Sequence, residues 1–451
     1  MSVVRTIVGT IATKGAGFLV TLLVGVTIWR TLGPAGKGAV DALVAWAALL
    51  LLTYPSLEEP QLYLIGRGRI APGTFLANGI LVAIGFGLLT WGVFEFIVAY
   101  LPNWLEYRDR DTGTWQPLDI ASLRLLVFLA PLVITQKVVG GVLQGLKDMK
   151  AFNLCFLIQN LVLLVGALTL VLFAQLGIEG AIYSHMASMG AGGLCALFFC
   201  FRNPSVRESP VRPDLIQLGR LIVGGLRIHG GVIAAWLIVM SDQILVMRFW
   251  GAKETGWYAL AVGLSGHLRR LVLQPIKEVL GSRLPDMVGD PARITDAVAK
   301  TCRHTILLTL VPGAMLAAFG WPAIWVLYGA DALPAYAPLL ILLPGSLMWA
   351  AAVIISYWFI GRNRFLTLTL IGLFIGGSNI VLNFMFVPGF GRVGAAATSA
   401  ACYGLHLTVF VVFIRWSEGT SPGRFLVPRR EDFAVYGDAW RKLRERLGGS
   451  R

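Results

Sequence analysis

Long apolar runs broken by short polar punctuation fill nearly the whole chain. A helix needs about 20 mostly apolar residues to cross a bilayer. By that rule the pattern predicts twelve crossings, near 6–31, 38–65, 73–100, 119–145, 151–175, 179–201, 216–248, 256–280, 303–328, 335–360, 365–387 and 393–416. The most informative stretch runs from Ile7 to Asp41, and it is echoed from about residue 222. Each copy is an apolar span, a Gly-x4-Gly turn enclosing a lysine (Gly33 to Gly38, Gly251 to Gly256) and a return span, at an offset of 218 residues. Gly177-Ile178-Glu179-Gly180-Ala181 recurs as Gly391-Arg392-Val393-Gly394-Ala395 at offset 214. Gly145, ahead of Lys147 and Lys150, matches Gly361, ahead of Arg362 and Arg364, at offset 216.

An offset of six crossings leaves both copies pointing the same way, as in transporters built from parallel repeats. The expected organisation is an amino-terminal six-helix bundle, 1–202, and a carboxy-terminal one, 215–416. A linker, 203–214, carrying Pro204, Pro210 and Pro213, joins them, and a basic tail covers 417–451. In that tail Phe433, Tyr436, Trp440, Leu443 and Leu447 recur at helical spacing with Arg441, Lys442, Arg444 and Arg446 off the stripe. That pattern predicts an amphipathic helix on anionic lipid, or one packed on the loops of the same face. Asp290-Pro291 is expected to start a short polar helix before the ninth crossing.

Composition agrees with an all-α membrane protein: 56% of residues are hydrophobic and 14% charged, against about 25% charged in soluble domains. The net charge of +14 suits basic loops and anionic headgroups in so apolar a chain, not nucleic acid. On the side of the amino terminus the loops and tail carry 24 Lys and Arg, on the other side 7, so both termini are expected in the cytoplasm of a bacterial inner-membrane protein. The first run is too long, and lacks the cleavage site, for a signal peptide. The cysteines Cys155, Cys195, Cys200, Cys302 and Cys402 show no metal-ligand spacing and read as packing residues. No Walker loop, His-Glu-x-x-His or Gly-x-Ser-x-Gly occurs, and the longest loop between crossings on the side away from the amino terminus, about 101–117, has no room for a catalytic domain. Neither a metal nor a cofactor is expected.

Charges at bilayer depth cost about 2.5–3.5 kcal/mol each and mark wet cavities or partners. Lys14 is the clearest, nine residues past Arg5 and so about 13 Å deeper, although its stem is long enough to snorkel. Arg227 and His229 hold comparable places in the second half, and Arg269 and Arg270 border one face of the eighth crossing. Together they suggest an anion-binding cavity, arginine suiting phosphate through its planar fork. Asp242 is the deepest acid and can bind a coupling cation or proton, or pair with a neighbouring base. Glu58 and Glu59, between Pro55 and Pro60, mark an expected break in the second crossing.

The turn RTLGPAGKGAVDAL and the loops VLQGLKDMKAFN and LGIEGAIYS resemble the polysaccharide transporter (repeat-unit flippase) branch of the multidrug/oligosaccharidyl-lipid/polysaccharide exporter superfamily. The resemblance implies twelve transmembrane helices in two bundles forming a V around a cationic cavity. It implies transport of polyprenyl-pyrophosphate-linked oligosaccharides for O-antigen or exopolysaccharide assembly, alongside polymerase and chain-length proteins. Lys14, Arg227, His229, Arg269 and Arg270 would then contact pyrophosphate and glycan, with Asp242 at a coupling ion. Lipid II flippases usually add two spans and an arginine-rich first helix, both missing here. Multidrug members place an acid in the first helices, where this chain has Lys14. A cation-coupled multidrug exporter and a membrane glycosyltransferase or polymerase are the alternatives.

Overall fold

The structure, a computed structural model, describes residues 3–57, 71–110, 112–287 and 289–433, with side chains at all of these except 3–14, 16, 268, 270, 278, 282 and 285. Its helices are α1 (Val3–Leu50), α2 (Pro72–Tyr100), α3 (Ile120–Phe128), α4 (Ala130–Gly145), α5 (Met149–Gly166) and α6 (Gly177–Arg202) in the first half. The second half has α7 (Leu215–Val239), α8 (Ser241–Arg283), α9 (Pro291–Tyr328), α10 (Tyr336–Gly361) and α11 (Phe365–Glu418). A two-stranded hairpin, β1 (Glu106–Arg108) and β2 (Trp115–Pro117), pairs antiparallel between α2 and α3. Nine described segments are long and apolar enough to cross a membrane. The protein is an all-α, multi-pass membrane protein.

Glycine breaks explain how nine segments hold twelve crossings. As one rod, the 54 residues of α11 would reach about 80 Å, against about 30 Å of hydrocarbon. Gly391, at φ 54°, divides that helix; Gly33, at φ 67° and ψ −175°, and Gly251, at φ 79° and ψ −175°, divide α1 and α8. Only glycine adopts such angles without Cβ strain.

The repeat read from the motifs is written into the backbone. Eight of the eleven residues with positive φ among those described fall in pairs: Gly33 with Gly251, Gly113 with Gly329, Lys147 with Asn363, and Gly177 with Gly391. A Cβ on Gly180 would lie 2.8 Å from the Leu170 carbonyl, and one on Gly394 would lie 2.8 Å from that of Phe386. The Gly33, Gly113, Gly177, Gly251, Gly329 and Gly391 turns, the hairpin and the start of α10 form one end of the molecule, here the turn face. The start of α1, the Lys147 and Asn363 turns, the 203–214 connection and residues 284–287 form the other, the termini face.

Several crossings depart from the expected run. The fourth is broken at Leu129, where Pro131 opens α4 and denies the turn a donor. The fifth ends in a π-helical stretch, Ala167–Phe173. The polar helix expected at Asp290-Pro291 is continuous with the ninth crossing; the Asp290 side chain caps it, accepting from Arg293 N at 3.0 Å. The seventh is interrupted at Met240, between α7 and α8. The second loses its helix after Leu50, passes through a 3-10 turn (Leu51–Thr53) and is extended at Tyr54. Glu58, Glu59 and the tail stripe beyond Phe433 lie outside the described residues. The tail up to Phe433 is docked on the termini face of the second half: Phe425 is fully buried, and Arg303 donates to Asp432 at 2.6 and 3.1 Å.

At the turn face the two Gly-x4-Gly motifs pack backbone on backbone. A Cβ on Gly38 would collide with the Ala252 carbonyl and lie 2.5 Å from Gly256 N. One on Gly256 would collide with the Pro34 carbonyl and lie 3.1 Å from Pro34 Cα. Each half also lends a side chain to the other's core: Trp29 is buried among Tyr258, Ile324 and Tyr328, and Met247 among Val40, Leu43 and Leu126.

Two outcomes are expected. Gly38→Ala and Gly256→Ala each lower thermal stability by about 1–3 kcal/mol, the usual cost of overpacking, because backbone cannot rotate aside. Gly92→Ala, whose Cβ meets open space, does not. Second, the Arg303 guanidinium and the Arg429 backbone N–H hold the Asp432 carboxyl down at about 2. A depressed carboxyl stabilises fully above its unfolded value near 3.8 and loses that contribution as pH falls through about 2. Proteolysis between Arg424 and Arg430 is therefore expected to accelerate over that window, and in Asp432→Asn at neutral pH.

Candidate functional site

The break at Met240 creates a helix start inside the membrane, and Asp242 stands in that first turn, only 1% exposed. Unpaired N–H groups at a helix start favour a carboxylate, and Gln243 N donates to Asp242 Oδ1 at 2.9 Å. Ser399 Oγ donates to Oδ2 at 2.7 Å, and the Tyr258 hydroxyl donates to the same oxygen. Ser241 donates to Asn379 Oδ1 at 3.1 Å, and Asn383 Nδ2 donates to the same atom at 2.9 Å. The network gathers α7, both limbs of α8 and both limbs of α11, with Asp242, Tyr258, Asn379, Asn383 and Ser399 all buried. Unused capacity remains at Asn379 Nδ2 and Asn383 Oδ1, which find no hydrogen-bond partner among the described residues. A carboxylate, an amide oxygen and hydroxyls form a hard, oxygen-rich donor set. Among the described residues no group of three or more His, Cys, Asp or Glu is placed to hold a metal ion.

The expected cations are spread over different settings. Arg269 is 8% exposed on α8, its guanidinium 5.5 Å from the Tyr403 ring centre, with Nη1 lacking a hydrogen-bond partner among the described residues. His229 is also buried; its Nε2 meets the Leu52 carbonyl at 2.8 Å, tying α7 to the second crossing where its helix ends, and its Nδ1 finds no partner among the described residues. Arg227 is exposed and lines a groove of about 490 Å³ along α7 with Ile216, Gly219, Arg220, Val223 and Gly224. Lys14 lies in α1 and Arg270 in α8, and their side chains are outside the described set. Near Lys14's stretch, Phe18 meets His267 edge-on at 5.2 Å, so the first and eighth crossings touch there.

Three arginines counted above only as loop charges join the halves at the turn face. Arg30 donates to the Leu327 and Val326 carbonyls at 2.9 and 2.7 Å. Arg248 donates to those of Asn103 and Glu106 at 2.6 and 3.3 Å, and Arg110 to those of Phe249 and Pro388 at 3.2 Å each. Arg30 and Arg248 each stand three residues before the breaking glycine, at the same offset of 218.

Comparison with solved structures places this arrangement. The lipid II flippase MurJ in its inward closed conformation matches at TM-score 0.72 and 14% identity, over 93% of this chain and 89% of that one. A multidrug resistance MATE family transporter of the MOP superfamily, inward-facing, matches at 0.69 and 15%, over 89% and 94%. A MOP superfamily transporter from Pyrococcus furiosus, described as having a binding pocket of reversed polarity, matches at 0.61 and 16%, over 92% and 94%. The chain has the fold of the MOP exporter superfamily. Residues 115–336 also match the family model described as polysaccharide biosynthesis protein, so the resemblance carried by the three loop motifs is borne out. No curated protein matches the sequence.

Within this fold, the network around Asp242 escaped the sequence reading because its partners Tyr258 and Ser399, and the adjoining Asn379 and Asn383, are uncharged. Asn379 and Asn383, four apart in an apolar crossing, were the available signal, since residues at that spacing share a helix face. For the arginines the signal was their matching offset. Arg30→Ala combined with Arg248→Ala is expected to loosen the turn face. An Ala252→Cys thiol in the purified protein should then react with maleimide several-fold faster than in the parent; equal rates would show that the backbone contact closes the face unaided.

Proposed function

We propose that the protein is a flippase that carries polyprenyl-pyrophosphate-linked oligosaccharide repeat units from the inner to the outer leaflet of a bacterial cytoplasmic membrane, for surface polysaccharide biosynthesis. The observation that carries this reading is the match to a polysaccharide biosynthesis family model on a chain with an exporter fold. A lipid-linked cargo is also what the printed name of the lipid II flippase describes. In this reading the termini face, with 24 Lys and Arg against 7, is cytoplasmic. The halves 1–202 and 215–416 are the two moving bodies, the linker 203–214 joins them, and the tail 417–451 rests against anionic lipid and the termini face. Polymerase and chain-length proteins are the partners expected on the outer side.

Alternating access then follows from the contacts already described. While the turn face is held shut by Arg30, Arg110, Arg248 and the glycine turns, a cavity facing the cytoplasm admits the headgroup. Lys14, Arg227, Arg269 and Arg270 supply positive charge for the pyrophosphate, and His229 becomes available when the second and seventh crossings part. The polyprenyl chain stays in lipid. Rocking releases the arginines from their carbonyls and opens the other face. With the interior negative, each anionic charge moved outward gains about 2.3 kcal/mol per 100 mV. Asp242, with the unused oxygen of Asn383 in the same network, is the place for a sodium ion or proton moving as counter-charge. Fold and family neighbours are transporters and flippases, consistent with a protein that catalyses no covalent step.

Deleting the gene should make lipid-linked repeat units accumulate on the inner leaflet, and re-introducing the wild-type chain should clear them. Lys14→Glu and Arg269→Glu, expressed at wild-type level, should fail to do so. Normal export from both variants, or drug sensitivity as the sole phenotype of the deletion, would end this reading.

A further inference from the structure

Arg269 occupies an unusual place for a residue assigned to headgroup capture. It does not stand open on the cavity wall: it is 8% exposed and set beside Tyr403, itself only 3% exposed. Tyr403 lies four residues, one helical turn, beyond Ser399, whose hydroxyl donates to Asp242 at 2.7 Å. Side chains four apart on a helix are neighbours. One face of the twelfth crossing thus runs from the carboxylate of Asp242 through Ser399 and Tyr403 to the guanidinium of Arg269. Beyond Tyr403 this face is sealed: His406 packs against Trp349 at 5.5 Å and Phe410 at 4.3 Å, and Phe410 against Phe359 at 4.7 Å. The polar column therefore communicates with the rest of the protein through Arg269, on the helix that touches α1.

Asp242 makes no salt bridge among the described residues; its hydrogen bonds come from hydroxyls and a backbone N–H. Arg269 likewise has a buried donor, Nη1, that finds no hydrogen-bond partner among the described residues. Two buried opposite charges, neither in an ion pair among the described residues, compensate one another through the intervening dipoles, and drawing one away leaves the other uncompensated. We propose that the Arg269–Tyr403–Ser399 column couples the two ligands, so that an anionic phosphate group drawing on Arg269 strengthens cation binding at Asp242, and a cation at Asp242 frees Arg269 for the anion. This inference rests on the flippase reading and adds to it the means by which cargo and counter-ion sense one another. Linkage requires the effect to be reciprocal.

The test measures binding to the full-length chain in lipid nanodiscs, with inorganic pyrophosphate as the anion and sodium or lowered pH as the cation. In wild type, cation is expected to tighten pyrophosphate by roughly 5- to 150-fold, the usual range for coupled sites, and pyrophosphate to tighten cation equally. Asp242→Asn, neutral at the cation site, should bind pyrophosphate tightly whatever the cation. Arg269→Gln should still bind cation, insensitive to pyrophosphate, and Tyr403→Phe should keep both sites with a reduced cross-effect. A wild type that binds both with no cross-effect, or Arg269→Gln retaining the full cross-effect, overturns the coupling and leaves the flippase reading standing. A wild type that binds neither overturns both.

Discussion

The contact on which the architecture depends is the one between two peptide backbones at the turn face. Gly38 lies against the carbonyl of Ala252, and Gly256 against that of Pro34. No side chain intervenes, so the first two crossings and the seventh and eighth approach as closely as helices can. Inside a bilayer there is little hydrophobic drive for helices to associate, and close packing of small residues supplies much of it. Such a contact is tight when formed and leaves no bulky residue to be dislodged when it opens. The arginines reinforce it in the same manner, since Arg30, Arg110 and Arg248 bind carbonyls and not carboxylates. A charged partner would have made a stronger bond with a larger cost to open in a low-dielectric setting.

The symmetry of that contact reaches into the cores. Trp29 and Met247, at the offset of 218, cross into the opposite half's cluster, and Val26 and Ile244 accompany them at the same offset. Each half is therefore incomplete without the other near the turn face. Towards the termini face one core gathers around Trp358, Phe359 and Phe410, and another around Phe75, Val142 and Cys200, which α7 of the second half joins through Leu221.

Much of this was legible in the chain. Twelve crossings followed from run lengths alone, because satisfying backbone groups in lipid leaves the helix as the economical choice for such runs. The repeat followed from glycines, which are constrained by φ and by close approach and so keep their offsets where side chains drift. Helix continuity was harder to read. Asp290-Pro291 looked like an isolated cap, yet its helix runs on into the ninth crossing, since nothing between Arg293 and Arg303 breaks it. At the candidate site the lone acid was visible and its partners were not. A tyrosine, two asparagines and a serine scattered over 142 residues acquire meaning only when folding gathers them around Ser241 and Asp242. The arginines at the turn face hid among loop charges because their acceptors are backbone carbonyls, which no sequence displays.

Symmetry of scaffold is not matched by symmetry of chemistry. At offset 218 the place of Asp242 in the first half is taken by Val24, and that of Tyr258 by Val40. Leu163 and Ala167, at offset 216, stand where Asn379 and Asn383 stand in the second half. Among the described residues the first half pairs neutral groups instead: Gln136 donates to Gln159 at 2.7 Å, and Thr21 to Asn160 at 3.3 Å. Burying a carboxylate at membrane depth is costly in either half, and among the described residues the one buried in a crossing, Asp242, stands in the second. A carboxylate at the matching place in the first half would give a cation two equivalent sites and would repel an anionic headgroup from both sides. Arg269 stands two residues past His267, where α8 touches the first crossing, which sets a positive charge near that contact while Asp242 lies among hydroxyls. The same duplicated framework can in this way hold an ion inside one half while the surface shared by the two stays suited to an anion.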